Sequence, residues 1–163
     1  MPPLDVPSPR RLLVLNGKGL DTRGQTEESR QYFRSSAVLA DYDRRIRQVA
    51  QELGVLVEHI QTNELEECIM RLENSSEDAI VINPAAFMNE PSLAECISRL
   101  DKPIIEVHYG NFIAKGATSL VTKVCTALVC GAKLDSYAVG MRIALAALEP
   151  GYTEFDYPPP VSG

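Results

Sequence analysis

The sequence predicts an α/β fold in which a parallel β-sheet is covered by helices on both faces. Short apolar runs rich in β-branched residues alternate along the chain with segments whose apolar residues recur at helical spacing. These runs are continuously apolar, as in parallel strands that are buried on both faces. Ligands of such sheets bind beyond the carboxyl ends of the strands, so functional residues are expected at those ends.

The first half of the chain contains two predicted strand and helix pairs. The strands are residues 11–15 and 55–60, and the helices are residues 37–53 and 65–72. The first strand runs into Asn16-Gly17, a pair typical of turns. Gly54 follows the first helix and is a common stop signal for helices. The alternation expected of a parallel sheet therefore begins here.

The second half continues this alternation. The predicted strands are residues 79–82 and 103–107, with helices over residues 92–100 and 135–148. One strand runs into Asn83-Pro84 and the other into His108. Residues 121–128 are apolar but short, and they predict the start of either a strand or a helix.

Length and composition indicate one domain and disfavour polyanionic partners. A chain of 163 residues fits a single domain, predicted over residues 11–148. Residues 1–10 hold four prolines and residues 149–163 include three consecutive prolines, so both ends are predicted to be flexible arms. The net charge of -6 disfavours nucleic acid and anionic membranes as partners.

Targeting and metal signals are weak in this sequence. No apolar run approaches the roughly 20 residues of a membrane span, and no signal peptide is evident, so a cytoplasmic protein is expected. The four cysteines form no CxxC pair and no cluster with histidine. We therefore expect buried thiols and no metal site.

Polar motifs at the predicted strand ends resemble those of a known protein family. The motifs are Leu13-Val14-Leu15-Asn16-Gly17, Gln61-Thr62-Asn63, Ile82-Asn83-Pro84-Ala85-Ala86 and Ile105-Glu106-Val107-His108. In order and nearly in spacing they resemble the type II dehydroquinase family over residues 11–148. The resemblance implies a flavodoxin-like fold and a trimer-based dodecamer. It also implies loss of water from 3-dehydroquinate through an enolate, without metal or organic cofactor.

The resemblance assigns roles to residues that this chain retains. His108 matches the general acid for the departing hydroxyl, and Glu106 matches the carboxylate two residues earlier. Asn83 matches the asparagine that holds the leaving hydroxyl, and Asn16 is placed among the substrate-binding residues. A carboxylate beside a histidine fixes the ring's tautomer, so the pair is suited to acid–base chemistry.

The first loop departs from the family pattern. Gly19 replaces an asparagine that helps to stabilise the enolate, and the loop is a few residues longer. Tyr32 is the only tyrosine in the loop and matches the base that removes the proton. The family's loop arginine corresponds to Arg23, Arg30 or Arg34, and a cation nearby would lower the pKa of a tyrosine.

The end of the site that binds the substrate carboxylate is also altered. Its predicted residues are Tyr109, Gly110, Asn111 and Lys115, together with Asn89. Asn89 stands for a family histidine, and Gly110 stands for a serine. Lys115 keeps the charge of a lid arginine but loses its bidentate geometry. A further arginine aligns near Ser119.

This combination of retained and replaced family residues is compatible with two functions of different class. The first is a lyase that eliminates water from a cyclic hydroxy-keto acid, either 3-dehydroquinate or a relative. The second is a non-catalytic homologue that acts as a ligand-binding or scaffold protein, since several substrate contacts are replaced together. The retention of Glu106, His108 and Asn83 at separate strand ends favours the enzyme. His59 matches no motif and is interpreted as structural.

Overall fold

The computed structural model describes residues 7–152. The predicted arms, residues 1–10 and 149–163, lie largely outside this range. The described elements are β1 (Arg11–Lys18), α1 (Glu27–Phe33), α2 (Leu39–Leu53), β2 (Leu56–Gln61), α3 (Leu65–Glu73), β3 (Ala79–Ala85), α4 (Pro91–Ser98), β4 (Ile104–His108), a short 3-10 turn (Thr122–Val124), β5 (Ala127–Cys130) and α5 (Asp135–Ala146).

The five strands form one parallel sheet in the order β2-β1-β3-β4-β5. This is the flavodoxin-like order, so the predicted fold class is confirmed. The register sets Asn16 beside Gln61 on one side and beside Asn83 on the other. The polar residues at these strand ends therefore meet at one edge of the sheet.

Helices cover both faces of the sheet and divide the core in two. On one face α2 and α5 pack against the even-numbered residues of β1, with Tyr42, Ile46, Tyr137 and Met141 in the interior. On the other face α3 and α4 pack against Leu13 and Leu15, with Cys68, Leu72, Leu93 and Ile97 inside. This burial on both faces explains why the central strands β1, β3 and β4 are largely unbroken apolar runs.

Two segments add to the predicted elements: the helix α1 and residues 121–128. The helix α1 was not predicted, because it buries none of its residues and so has no apolar face to reveal it. Its start is instead stabilised by Thr26, whose side chain accepts a hydrogen bond from the Ser29 backbone. Residues 121–128 form a 3-10 turn followed by the edge strand β5, which settles the open alternative.

Residues 7–152 present neither a membrane span nor a metal-binding cluster. Within that range no helix is long and apolar enough to cross a bilayer. The same residues contain no group of three His, Cys, Asp or Glu side chains arranged to hold a metal ion.

Candidate active site

The site begins where β1 and β3 end side by side. Gly17 packs directly against the Pro84 carbonyl, and a Cβ at this position would lie 2.2 Å from that oxygen. Glycine is therefore required by close backbone approach. The contact holds the end of β1 against the turn that follows Asn83.

A cavity of about 370 Å³ opens at this edge of the sheet. Its volume is in the range of small-molecule sites. The polar side chains that line it come from β1, α1, β3, β4 and the loops after β1 and β4; they are Lys18, Thr22, Arg23, Thr26, Ser29, Tyr32, Asn83, His108, Tyr109 and Lys115. Gly19 and Gly110 also line it. The strand-end residues Asn83 and His108 are thus brought together, as predicted.

Glu106 and His108 form a buried pair on β4. The Glu106 carboxylate accepts hydrogen bonds from His108 Nε2 at 2.7 Å, Ser119 Oγ at 2.7 Å and Thr122 Oγ1 at 2.5 Å. Burial alone would raise its pKa, but these bonds outweigh burial and lower it, so the carboxylate is ionised. His108 Nε2 is thereby occupied, which leaves Nδ1 to exchange a proton with a ligand.

Asn83 is held from two sides. Its Oδ1 accepts from the Ala85 backbone N–H at 3.1 Å, and its Nδ2 donates to the Tyr137 hydroxyl at 2.9 Å. Tyr137 in turn donates to Asn16 Oδ1 at 2.5 Å. Ala85 lies in the left-handed region with φ 49°, which non-glycine residues rarely adopt. The Asn83 side chain therefore supports a strained turn that lines the cavity.

The first loop is shaped around Gly19. This residue has φ +101°, and its N–H donates to Asn63 Oδ1 at 3.0 Å. Asn63 also donates to the Asp21 carboxylate at 3.0 Å, which ties the loop to the end of β2. A Cβ at Gly19 would meet no atom within 4 Å, so the constraint there is backbone conformation and not space.

Arg23 is the loop arginine that lines the cavity. Its guanidinium lies 4.0 Å from the centroid of the Phe33 ring and donates to the Tyr42 hydroxyl at 3.3 Å. Arg30 instead donates to the Gly24 carbonyl, and Arg34 is the residue that ends α1. Of the three arginines that the sequence left open, Arg23 is the one among the described residues that line the cavity.

Positive charge gathers at the mouth of the cavity. Lys115 Nζ donates to the Tyr32 carbonyl at 2.9 Å and lies 3.7 Å from the centroid of the Tyr32 ring. Burial and then the nearby charges of Arg23 and Arg34 lower the pKa of Lys115. No acidic residue is among the described residues that line the cavity. The arrangement suits an anionic ligand.

Comparison with known proteins places the chain in a family. The model of the family described as dehydroquinase class II matches residues 10–145. The chain belongs to this dehydroquinase family.

Relatives and solved structures of the dehydroquinase family agree with this assignment. The chain is 31% identical to a 3-dehydroquinate dehydratase of Desulforudis audaxviator over 86% of this chain and 96% of the relative. It is 32% identical to the enzyme of the same name from Syntrophotalea carbinolica, over 83% and 94%. The crystal structure of type II dehydroquinase from Propionibacterium acnes superposes with a TM-score of 0.74 at 29% identity, covering 87% of this chain and all of that one.

Some residues that the dehydroquinase resemblance suggested lie away from the cavity lining. Asn89 is exposed, and Asn111 uses its Oδ1 to accept from the Ala114 N–H at 3.1 Å in the following turn. Asn16 is fully buried behind Asn83. Ser119 contacts Glu106 and is not among the lining residues.

Other contributors were not predicted from the sequence. Tyr137 joins Asn16 to Asn83, yet within an apolar helix it is indistinguishable from a core aromatic. Thr122 donates to Glu106 from a turn whose path no sequence pattern indicated. Thr26 followed by the acidic residues Glu27 and Glu28 matches a helix start signal, and it is the feature of the sequence that indicates α1.

Proposed function

We propose that this chain is a hydro-lyase that removes water from 3-dehydroquinate or a closely related cyclic hydroxy-keto acid. The observation that carries the proposal is the buried Glu106 and His108 pair sharing one cationic cavity with Asn83. The family assignment supports it, since the relatives described above are named 3-dehydroquinate dehydratase.

We assign the residues that act on the departing hydroxyl to β3 and β4. Protonated His108 donates the hydrogen on Nδ1 to the departing hydroxyl, and the ionised Glu106 carboxylate stabilises the imidazolium before transfer. Asn83 lines the cavity beside it and orients that hydroxyl. The hydroxyl leaves as water.

The proton-abstracting end is assigned to the first loop. Tyr32, as its phenolate, removes the proton from the carbon next to the ketone, and an enolate forms. Collapse of the enolate expels the hydroxyl that His108 protonates, so one C–H and one C–O bond break and a C=C bond forms. Arg23, which lines the same cavity, supplies positive charge near the developing anion. These steps use side chains alone and require no cofactor.

We assign binding of the substrate carboxylate to the segment after β4. Tyr109, Gly110 and Lys115 line the cavity there. A Cβ at Gly110 would come within 3.3 Å of Lys115 Nζ, so the ammonium occupies the space in which the family places a serine side chain. We infer that Lys115 has taken over this contact as a point charge.

The test of the chemistry is hydrogen exchange at the enolate step. When 3-dehydroquinate is incubated with the full chain in D₂O, proton NMR is expected to show deuterium entering the carbon next to the ketone together with product formation. A chain that binds the compound without either change would support the second reading, a non-catalytic binding protein. The replaced contacts at Gly19 and Gly110 are the observations that favour that reading.

The assembly is proposed from the same resemblance, and a cytoplasmic location is proposed beside it. A homo-oligomer built from trimers, most simply a dodecamer, is expected in the cytoplasm. Large apolar side chains on the surface of the described chain, Leu56, Met70, Ile113 and Val139, supply material for subunit contacts.

A further inference from the structure

A continuous series of hydrogen bonds runs from the surface of α2 to the turn beside the cavity. Its five contacts join Asp43, His59, Asn16, Tyr137, Asn83 and Ala85 at 2.8, 2.6, 2.5, 2.9 and 3.1 Å, in that order. Asn16 and Tyr137 are fully buried, and the His59 side chain is 5% exposed. The Asp43 end reaches solvent, and the Ala85 end borders the cavity.

One fixed donor sets the direction of every bond in the series. The Ala85 backbone N–H can only donate, so Asn83 must present its oxygen to Ala85 and its NH₂ to Tyr137. Tyr137 then accepts from Asn83 and has one hydrogen left, which goes to Asn16 Oδ1. The remaining NH₂ of Asn16 faces His59 Nε2.

His59 must therefore be an acceptor at Nε2. A neutral ring that accepts at Nε2 carries its hydrogen on Nδ1, and Nδ1 lies 2.8 Å from Asp43 Oδ1, where that hydrogen is accepted. The tautomer of His59 thus follows from the Ala85 N–H at the other end of the series.

Protonation of His59 is incompatible with this arrangement. An N–H at Nε2 would oppose the NH₂ of Asn16, so the Asn16 amide must turn over or the contact must break. If Asn16 turns over, its NH₂ faces the Tyr137 oxygen, and the buried Tyr137 hydrogen either loses its acceptor or is donated to Asn83. In the second case the Asn83 NH₂ faces the Ala85 N–H, so both outcomes leave a donor unpaired beside the turn that lines the cavity.

We propose that His59 is a positioning residue for the active site. Its unprotonated Nε2 anchors Asn16, and through Tyr137 this fixes the amide of Asn83. The site is consequently sensitive to the protonation of a histidine that does not line the cavity. This inference rests on the proposed function for its effect on catalysis, but not for the hydrogen-bond arrangement itself.

The charged groups that face His59 come from α2. Asp43 contacts Nδ1, and Arg47 Nε donates to the same carboxylate at 3.0 and 3.1 Å. Burial opposes ionisation of Asp43, yet the bonds from His59 and Arg47 outweigh burial and lower its pKa. From β1 and α5 the series presents an amide and a hydroxyl, which carry no charge.

The first experiment measures the tautomer without using activity. The chain has two histidines, so nitrogen NMR of the full chain labelled with ¹⁵N-histidine gives two assignable rings. At neutral pH the shifts of His59 are expected to show a hydrogen on Nδ1 and none on Nε2. A ring with its hydrogen on Nε2, or a ring that is charged, would overturn the proposal whatever the catalytic outcome.

The second experiment measures the effect on turnover of 3-dehydroquinate. His59→Leu removes the acceptor, and kcat is expected to fall about 10- to 100-fold with a smaller change in KM, as for a displaced active-site group. His59→Gln can present an oxygen to Asn16 and an NH₂ to Asp43, and it does not titrate. It is expected to recover most of the lost kcat and to lose less activity than the native chain on acidification.

Controls separate this proposal from general destabilisation and from failure of the proposed function. Glu58→Gln changes the exposed neighbour of His59 on β2 and should leave the pH profile as it is. Equal kcat values for the folded Leu and Gln variants would overturn the positioning role. If the native chain shows no turnover, the proposed function fails, and the tautomer measured by NMR still decides the present inference.

Discussion

At the scale of single residues, the state of Glu106 determines what His108 can do. Its carboxylate has no exposed surface but receives three hydrogen bonds, two of them from the hydroxyls of Ser119 and Thr122. Burial opposes its ionisation, yet the bonds from His108, Thr122 and Ser119 together lower its pKa, without a Lys or Arg partner among the described residues. A buried anion held in this way orients the His108 ring.

A prediction at this scale concerns Lys115. Lys115→Met removes the ammonium at the cavity mouth while keeping an unbranched side chain, and KM for 3-dehydroquinate is expected to rise roughly 10- to 100-fold because a charged contact is lost. Initial rates at a series of substrate concentrations measure this. Lys123→Met, at an exposed position outside the lining, is the matched control. Equal KM values for the two variants would contradict the assigned role.

The family resemblance identified strand-end residues and several loop residues of the site but not the side chains that support them. It assigned His108 and Glu106 together, and the two share one face of β4 because they are two residues apart on a strand. Ser119 and Thr122 reach Glu106 from 13 and 16 residues further on, along an irregular path that no periodicity describes. Arg23 remained one of three candidates for the same reason, since position within a loop is set by tertiary contacts.

At the scale of elements, buried strands are predictable from apolar patterns, whereas the exposed helix α1 has no apolar periodicity to indicate it. The predicted strands agree with β1 to β4 to within a few residues. Burial on both faces leaves continuous apolar runs in β1, β3 and β4, whereas the edge strand β2 is only partly buried. The short helix α1 is exposed and depends on a cap, on the acidic residues of its first turn and on a left-handed residue, Arg34, at its end.

The contact between β1 and β3 gives a prediction for Gly17. Gly17→Ala would force a Cβ to within 2.2 Å of the Pro84 carbonyl oxygen, a backbone atom that cannot rotate away. The free energy of unfolding is expected to fall by about 1–3 kcal/mol, as for other overpacked positions. Urea unfolding of the native and substituted chains measures the change. An equally stable variant would show that the two strand ends are not packed as described.

The start of β3 gives a prediction about acid stability. Burial raises the pKa of Glu77, but hydrogen bonds from Arg71 and Ser75 outweigh burial and lower it to about 2. Because the folded pKa lies below the ordinary value of 4.5, the stabilisation is complete above pH 4.5 and is lost as the pH falls towards 2.

Glu77→Gln tests this assignment. The substitution is expected to lower the free energy of unfolding by about 1–3 kcal/mol at pH 7 and to weaken its dependence on pH between 5 and 2. Urea unfolding across that interval measures both effects. Glu95→Gln, which alters an exposed pair with Arg99, serves as the control and should have little effect. An equal pH dependence of the native chain and the Glu77 variant would be contrary to the account.

At the scale of the whole molecule, charge is distributed unevenly. The chain carries a net charge of -6, yet Lys18, Arg23 and Lys115 line the cavity and no described lining residue is acidic. The net charge disfavours polyanionic partners, whereas the local positive charge of the cavity suits an anionic ligand. The alternation of strands and helices predicted a parallel sheet, and the resemblance implied its flavodoxin-like order, but the charge of the cavity depends on how the loops fold.

The proposed assembly is tested on the intact chain. Light scattering at working concentration is expected to give a mass about twelve times that of the 17.9 kDa chain, or three times for the isolated trimer. Replacement of exposed apolar residues such as Ile113 by serine would reduce the mass if these side chains lie at subunit contacts. A monomer at every concentration would contradict the oligomer inferred from the family resemblance.

The measurement that tests the central claim most directly is ultraviolet detection of the conjugated product during incubation of the native chain with 3-dehydroquinate. The account predicts that the absorbance of dehydroshikimate appears, and that His108→Ala lowers the rate by roughly 10²–10⁴-fold while substrate binding changes much less. A folded native chain that binds 3-dehydroquinate and forms no product, or a His108→Ala variant that matches the native rate, would contradict it.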